Sequence, residues 1–550
     1  MFIRWVNTAG IGFLAIAGHG LAAQNALDRT NPAQQVTPQP ALQSASVPVR
    51  IDIEPVLETP LSGVSDEAID VAAIIIDGLA VLDRAEFAGT IENFAGRSLT
   101  RADLAKLTDD IVEIARSRGF VLATAWVPEQ SLVAGMLRVR IDEGVIDAVR
   151  LEGVDDPAIH GQLGRLVTGR PVSLAELQRE VLLASDLPGV WIRSTRFESE
   201  SGQRVLVVHA TREKFGGSAE VSTDGIKPVG PLRARIDLDA NGLISSRDRV
   251  DLTFSTTPVE PDELAFFSAR YSLVVNDRGT NIGLFGAYSR TEPGAYLADA
   301  QLLGNAWQAG ARLLHPVMRS QQRSLWLESS LEVQDLKQDA FAMRVRQDRI
   351  ALARIGLYGY GRVAGGTFQG RVTATQGLDI LGATTKGDPF ASRLDAGADF
   401  SKLSWWWNWR RGLASRLSMS LAATGQFSSA PLLIGESFTL GGGAFLRGYD
   451  FAQRIGDEGI AGLAEIRYDW PRALGTGQQV QIYAFADGGT VSFVESAFAG
   501  GSLASSGAGL RMDVGRSLNL DAEVAVPLTE PRYDTADNTP RINIRVNKSF

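Results

Sequence analysis

The chain has 550 residues, 45% of them hydrophobic, a formal net charge of −9 and no cysteine. Without thiols it has neither a disulfide framework nor thiolate metal sites, a composition that suits passage through an oxidising compartment without mispairing. Its acidic balance speaks against a nucleic-acid partner.

Residues 1–23 carry Arg4, an apolar stretch from Ala9 to Ala17, and the small residues Ala22 and Ala23 before Gln24, the plan of a secretory signal peptide. Gly10, Gly12, Gly18 and His19 interrupt the apolar stretch, which falls short of the ~20 residues a membrane anchor needs. No later stretch reads as a transmembrane helix. An exported chain of this hydrophobicity therefore buries its apolar residues in a core or displays them in alternation on a barrel. Residues 24–69 are rich in Gln, Pro, Ala and Ser, and Pro32, Pro38, Pro40, Pro48, Pro55 and Pro60 break any long helix, so the segment reads as linker.

An internal repeat follows. Gly96-Arg97-Ser98-Leu99-Thr100-Arg101-Ala102-Asp103-Leu104 recurs as Gly169-Arg170-Pro171-Val172-Ser173-Leu174-Ala175-Glu176-Leu177, which divides the stretch into units at 70–146 and 147–213. Thr100 and Ser173 each precede a carboxylate by three residues, a helix-start signal that is a full capping box at Ser173 and a shorter-armed version at Thr100. Leu104, Leu107, Ile111 and Ile114 then recur at helical spacing. Arg118-Gly119-Phe120 ends the helix, and strands are expected around Ala123–Val127 and Met136–Ile141, with Val127-Pro128-Glu129-Gln130 between them and Glu143-Gly144-Val145-Ile146 after.

This order, helix, R-G-[FY], strand, P-x-Q, strand, E-G-x-I, resembles the N-terminal POTRA domain of two-partner secretion transporters, the TpsB or ShlB/FhaC/HecB family of the Omp85 superfamily. The resemblance implies that Pro128, Gln130, Glu143 and Gly144 form a cargo-binding motif. It implies capture of extended polypeptide by strand addition to an open sheet edge. It also implies an N-terminal plug helix inside the barrel, which leaves residues 24–30 as either a remnant of such a helix or a disordered tail.

From residue 214 onward the pattern alternates. Leu232, Ala234, Ile236 and Leu238 oppose Arg233, Arg235, Asp237 and Asp239, and Leu518, Leu520, Ala522 and Val524 oppose Asn519, Asp521 and Glu523. Apolar-out, charged-in strands mark a transmembrane antiparallel barrel, of about sixteen strands here: about eleven before residue 428 and five after 457. Trp405, Trp406, Trp407 and Trp409 beside Arg410 and Arg411 suit an interfacial girdle. Ile542, Ile544, Val546 and the terminal Phe550 share the face opposite Asn543, Arg545 and Asn547. Such an aromatic end resembles the signal by which the barrel assembly machinery recognises its substrates.

Within 428–457, three successive glycines at 441–443 make a loop that nevertheless carries Phe445, Leu446 and Tyr449, so it is expected to fold back onto the protein. About forty residues on, Val480, Ile482, Ala484 and Ala486 alternate with Gln481, Tyr483, Phe485 and Asp487. A bidentate fork from Arg447 to Asp487 on the barrel's inner wall is the expected lock. Arg447-Gly448-Tyr449 resembles the [VL]RG[YF] motif of the sixth extracellular loop in the superfamily, and Phe485-x-Asp487-x-Gly489 the F-x-D-x-G motif that receives it.

Catalytic chemistry is not expected: His19, His160, His209 and His315 have no nucleophile or metal-ligand spacing around them. Glu465, Arg467, Asp469 and Asp487 read as the lining of a wet pore. The fold expected is therefore tandem α+β POTRA domains followed by an all-β outer-membrane barrel. The function expected is secretion of an unfolded exoprotein bearing an N-terminal secretion domain, hemolysin-like or adhesin-like, with no enzyme activity, cofactor or metal. An Omp85-type assembly factor is the alternative reading.

Overall fold

The computed structural model describes residues 27, 29–30, 68–200, 203–471, 478–495, 500–515 and 517–550. The signal-peptide reading and nearly all of the linker fall outside them.

The first repeat unit packs two helices, α1 (Ala88–Phe94) and α2 (Arg101–Ser117), on a sheet of Ala73–Asp77, Met136–Asp142 and Thr124–Trp126, with Met136–Asp142 central. Leu104, Leu107 and Ile111 of α2 are fully covered by Leu137, Val139 and Ile141 of the sheet. In the second unit α3 (Pro157–Leu163) and α4 (Leu174–Ser185) cover a sheet of Ala148–Glu152, Gln203–Arg212 and Val190–Glu200, whose long outer strand leaves one edge open. Both capping boxes form. Asp103 reaches back to the Thr100 N–H at 2.9 Å and Glu176 to the Ser173 N–H at 3.0 Å, so the shorter arm suffices. Two backbone bonds join the units: Val172 N–H donates to Gly144 O at 2.9 Å and Leu174 N–H to Gly119 O at 2.8 Å.

Among the described residues, sixteen antiparallel strands close a barrel from Phe215–Ser222 to Arg541–Ser549, eleven before the loop and five after it. Alternation sets the faces. Ile482, Val524, Ile542 and Ile544 are exposed on the lipid side, whereas Tyr483, Phe485, Asp487 and Glu523 are buried inside. Phe550 does more than end the chain. Its N–H donates to Gly217 O at 3.0 Å and its carbonyl accepts the Gly217 N–H at 3.1 Å, so it completes the seam between last and first strands.

Leu302–Arg319, Arg323–Ala340 and Met343–Val363 have 18, 18 and 21 residues, well beyond the ~9–11 that a tilted strand needs to cross a bilayer. Residues 379–400 fold onto their upper ends, packing Ala383, Ala391 and Phe400 against Ile350 and Leu352. The tryptophan run divides by parity. Trp407 stacks on Phe368 at 6.3 Å on the outer face, while Trp406 points inward and lies 6.2 Å from Tyr358. Only Trp405, Trp407 and Trp409 are placed for a girdle.

The second unit is joined to the barrel's periplasmic rim. Asp186, at the end of α4, accepts a fork from Arg319 at 2.7 and 2.8 Å, and Gln162 Nε2 donates to Asp277 O at 3.0 Å.

Candidate functional site: the inward-folded loop

The connection between strands Leu417–Ser428 and Glu458–Pro471 turns inward through a short ladder, Phe438–Leu440 against Arg454–Gly456. Its tip, 441–453, lies against the inner wall. Leu446 adopts a left-handed φ of 59° and is fully buried with Tyr449. That conformation costs about 1–3 kcal/mol for a residue with a side chain, so neighbouring contacts must hold it.

Asp487 supplies one such contact. It accepts the backbone N–H of Arg447 at 3.1 Å and the hydroxyl of Ser505. The Arg447 side chain does not fork onto Asp487 as the sequence reading expects. It passes over the Phe485 ring, 4.3 Å from its centroid, and bonds Glu465 at 2.9 Å and Glu523 at 2.6 Å. The cause is reach. Asp487 stands level with the loop backbone, and the extended guanidinium meets Glu465, one inward position nearer the periplasm by strand register, and Glu523, two positions nearer.

Glu465 is fully buried and also receives Arg467 Nε at 2.5 Å and Arg511 at 2.8 Å. The expectation that Glu465 and Arg467 line a wet pore is therefore corrected: the loop covers them, and they serve as its socket. Glu523 further accepts from Tyr483 Oη at 3.0 Å and Asn543 at 3.2 Å. A buried cation is tolerable only with such pairing.

The motif glycines fit by absence of a side chain. A Cβ on Gly448 would lie 2.8 Å from Ser505 Cβ and 2.9 Å from Pro527 N, and one on Gly489 would lie 2.9 Å from Ile460 O and Leu440 Cδ2. Tyr449 Oη donates to Ala504 O at 3.1 Å and accepts the Thr529 N–H at 3.0 Å, tying the tip to the next wall strands. Arg447, Gly448, Tyr449, Phe485, Asp487 and Gly489 are thus brought together. Glu465, Glu523 and Ser505 are the partners that sequence reasoning missed; their inward parity was the available signal.

The base of the loop has its own anchor. The buried Glu436 carboxylate bonds Arg354 at 2.8 Å and Lys402 at 2.7 Å, and its carbonyl accepts from Lys402 Nζ at 2.9 Å and Gln426 at 3.0 Å. Asp457, fully buried, accepts the Leu432 N–H at 2.9 Å and the Val494 N–H at 3.0 Å.

The few described N-terminal residues also lie in the lumen. Gln338 Nε2 donates to Leu27 O at 2.9 Å, and the Arg29 guanidinium sits 3.7 Å from the centre of the Tyr533 ring. The rest of the possible plug helix lies outside the described residues.

Pro128, Gln130, Glu143 and Gly144, the expected cargo-binding motif, are engaged within the first unit. Gln130 is occupied by the chain itself, giving Nε2 to Arg138 O at 2.7 Å and to Pro128 O at 3.2 Å, while Oε1 takes the Arg138 N–H at 2.9 Å. Glu143 is 1% exposed and binds the N–H groups of Ala80, Val81 and Leu82 at 3.2, 2.8 and 2.9 Å. Gly144, at φ 95°, passes so close that a Cβ would lie 2.6 Å from Leu122 Cβ. These residues shape the first unit and its joint with the second. His315 bonds Thr280 Oγ1 at 2.9 Å through Nδ1 and holds a periplasmic turn.

Residues 202–512 match the family described as haemolysin secretion/activation protein ShlB/FhaC/HecB, and residues 69–144 match the ShlB-type POTRA domain. The heme/hemopexin transporter protein HuxB of Haemophilus influenzae (strain 86-028NP) is 23% identical over 478 residues, 82% of each chain. The solved structure of CdiB from Escherichia coli superposes over the whole of both chains with a TM-score of 0.69 at 20% identity. BamA from Haemophilus ducreyi lacking POTRA domains 1–3 does so with 0.52 at 13% identity, covering 88% of this chain and 100% of that one. With the family match spanning more than half of the chain, this protein belongs to the ShlB/FhaC/HecB haemolysin secretion/activation family: an outer-membrane translocator of exoproteins with periplasmic POTRA domains.

Proposed function

We propose that POTRA 1 (70–146) and POTRA 2 (147–213) capture an unfolded exoprotein, hemolysin-like or adhesin-like, through its N-terminal secretion domain, and hand it to the barrel (214–550). The observation that carries this is the open edge of Val190–Glu200 in a domain bolted to the rim by Asp186 and Arg319. An extended chain added to that edge is delivered to the lumen mouth. The step needs no covalent chemistry. Folding of the cargo outside makes return unfavourable and supplies the drive. Lipid covers the outer wall, and the barrel assembly machinery inserts the chain by way of Phe550.

Deleting residues 70–146 tests the reading. Secretion of the exoprotein is expected to vanish while heat-resistant barrel still appears in the outer membrane; unchanged secretion would contradict capture by POTRA 1. In planar bilayers the full chain conducts ions, and removal of 24–66 raises the open fraction if that segment plugs the pore.

A further inference from the structure

The inner wall that starts at Arg319 carries a row of aromatic rings. On strands Arg323–Ala340, Met343–Val363 and Ser401–Gly412, the inward positions of the periplasmic half carry Trp326, Tyr358, Tyr360 and Trp406. Trp326 stacks on Tyr358 at 5.4 Å and lies 5.9 Å from Tyr360, and Tyr358 lies 6.2 Å from Trp406. Guanidiniums are threaded along the row. Arg371 lies 5.3 Å from the Tyr358 centroid and 6.0 Å from that of Trp406, and Arg319, the residue that grips Asp186 of POTRA 2, lies 5.2 Å from that of Trp326. A third guanidinium, Arg312, shares one carboxylate with Arg371: Glu328 bonds them at 2.6 and 3.0 Å, so among these groups cations outnumber carboxylates. All four rings are half-buried, so part of each faces the lumen.

We infer that this row is a polypeptide track, the first surface inside the barrel to hold an extended cargo segment, with a preference for segments carrying carboxylate and apolar side chains. The inference rests on the translocator reading and adds a path to it. Ring faces bind whatever apolar group passes, without sequence demands, and guanidiniums beside them hold carboxylates. Several such contacts, each weak, let a chain be held and still advance. The row begins at Arg319, the residue that anchors POTRA 2 through Asp186.

The test uses the full-length chain in liposomes and a synthetic probe, an unstructured Gly/Asn peptide with interspersed Asp and Leu and one benzophenone side chain. About twelve residues suffice to span the row when extended. Photolabelling is expected on strands 323–340, 343–363 and 401–412 and not on 233–241 or 248–256 across the lumen. Replacing Asp by Lys in the probe lowers labelling about fivefold, and Trp326→Ala with Trp406→Ala lowers it about tenfold. Trp326→Phe with Trp406→Phe retains it; should the alanine pair not insert as heat-resistant barrel, Trp326→Leu with Trp406→Leu takes its place.

Labelling spread equally over both walls, or equal for the Asp and Lys peptides, would overturn the track. So would cross-links from the row to this chain's own N-terminal segment that exclude the probe. Exoprotein secretion by the wild-type chain is scored separately. If it secretes while the probe ignores the row, only the track is lost; if it does not secrete, the translocator reading itself fails.

Discussion

The tip and the base of the inward-folded loop are anchored by opposite arrangements of charge. At the tip the loop supplies a cation, Arg447, to a wall that offers Glu465 and Glu523; at the base it supplies an anion, Glu436, to a wall that offers Arg354 and Lys402. Each end would meet like charges in the other's socket, so the loop has one orientation in the lumen. Both ends carry further contacts. The base is also fixed by the Glu436 carbonyl, the Phe438–Leu440 ladder and Asp457, and the tip, around a strained Leu446, by Gly448 on Ser505, Tyr449 on Ala504 and Thr529, and Asp450 on Arg532.

Breaking the tip socket has the largest expected effect. Glu465→Ala leaves Arg447, Arg467 and Arg511 short of a shared carboxylate, and removing one member of a buried charge cluster costs about 3–5 kcal/mol. Secretion is expected to be lost while the barrel, closed by backbone bonds, still reaches the membrane in heat-resistant form; electrophoresis without boiling together with a secretion assay checks both. Arg447→Ala comes next, at about 2–3 kcal/mol, because Glu465 keeps two arginines and Glu523 keeps Tyr483 and Asn543.

Glu436→Gln is smaller, about 1–3 kcal/mol. Arg354 retains Glu332, and Lys402 retains Gln426 at 3.2 Å. The comparison predicts that this variant still secretes while residues 429–440 become accessible to added protease. Loss of secretion equal to that of Arg447→Ala would remove the distinction between the two ends.

The smallest effect is at the joint between the POTRA domains. The Asp147 carboxyl is held below the ordinary aspartate range, first by side-chain hydrogen bonding from Arg204 and then by the Arg204 backbone N–H. A carboxyl lowered in this way contributes its full stability above the ordinary aspartate pKa and loses it as pH falls through the lowered value. Amide exchange at 147–148 and 204–205 is therefore expected to quicken under acid, and Arg204→Gln, which keeps the backbone N–H bond to Asp147, is expected to weaken that pH dependence.

Much of this was legible in the sequence because alternation fixes which face each barrel residue occupies. It placed Tyr483, Phe485 and Asp487 inside, Ile542 and Ile544 outside, and the loop between strands eleven and twelve. It did not show which inward carboxylate stands at the height of the Arg447 side chain, because that depends on the stagger between strands 458–471, 478–492 and 518–527. Asp487, the acid nearest in the motif, was chosen over Glu465 and Glu523 for that reason. The turn that Glu143 closes is hidden for a similar reason. Its three donors come from residues 80–82, and no local pattern shows a carboxylate closing a turn sixty residues away. The split of the tryptophan run was readable by parity and was overlooked because four tryptophans together suggest one surface.

The central claim is that Arg447 works through its guanidinium on Glu465 and Glu523, and Asp487 through the loop backbone. Two double-mutant cycles, Arg447→Ala with Glu465→Ala and Arg447→Ala with Asp487→Ala, read by the thermal midpoint of the folded barrel and by secretion, test it directly. Arg447→Ala keeps its backbone N–H, so the Asp487 contact survives that substitution. The first cycle is expected to show a coupling of about 1–3 kcal/mol, the second additivity within about 0.5 kcal/mol. Strong coupling between Arg447 and Asp487 with additivity between Arg447 and Glu465 would contradict the account.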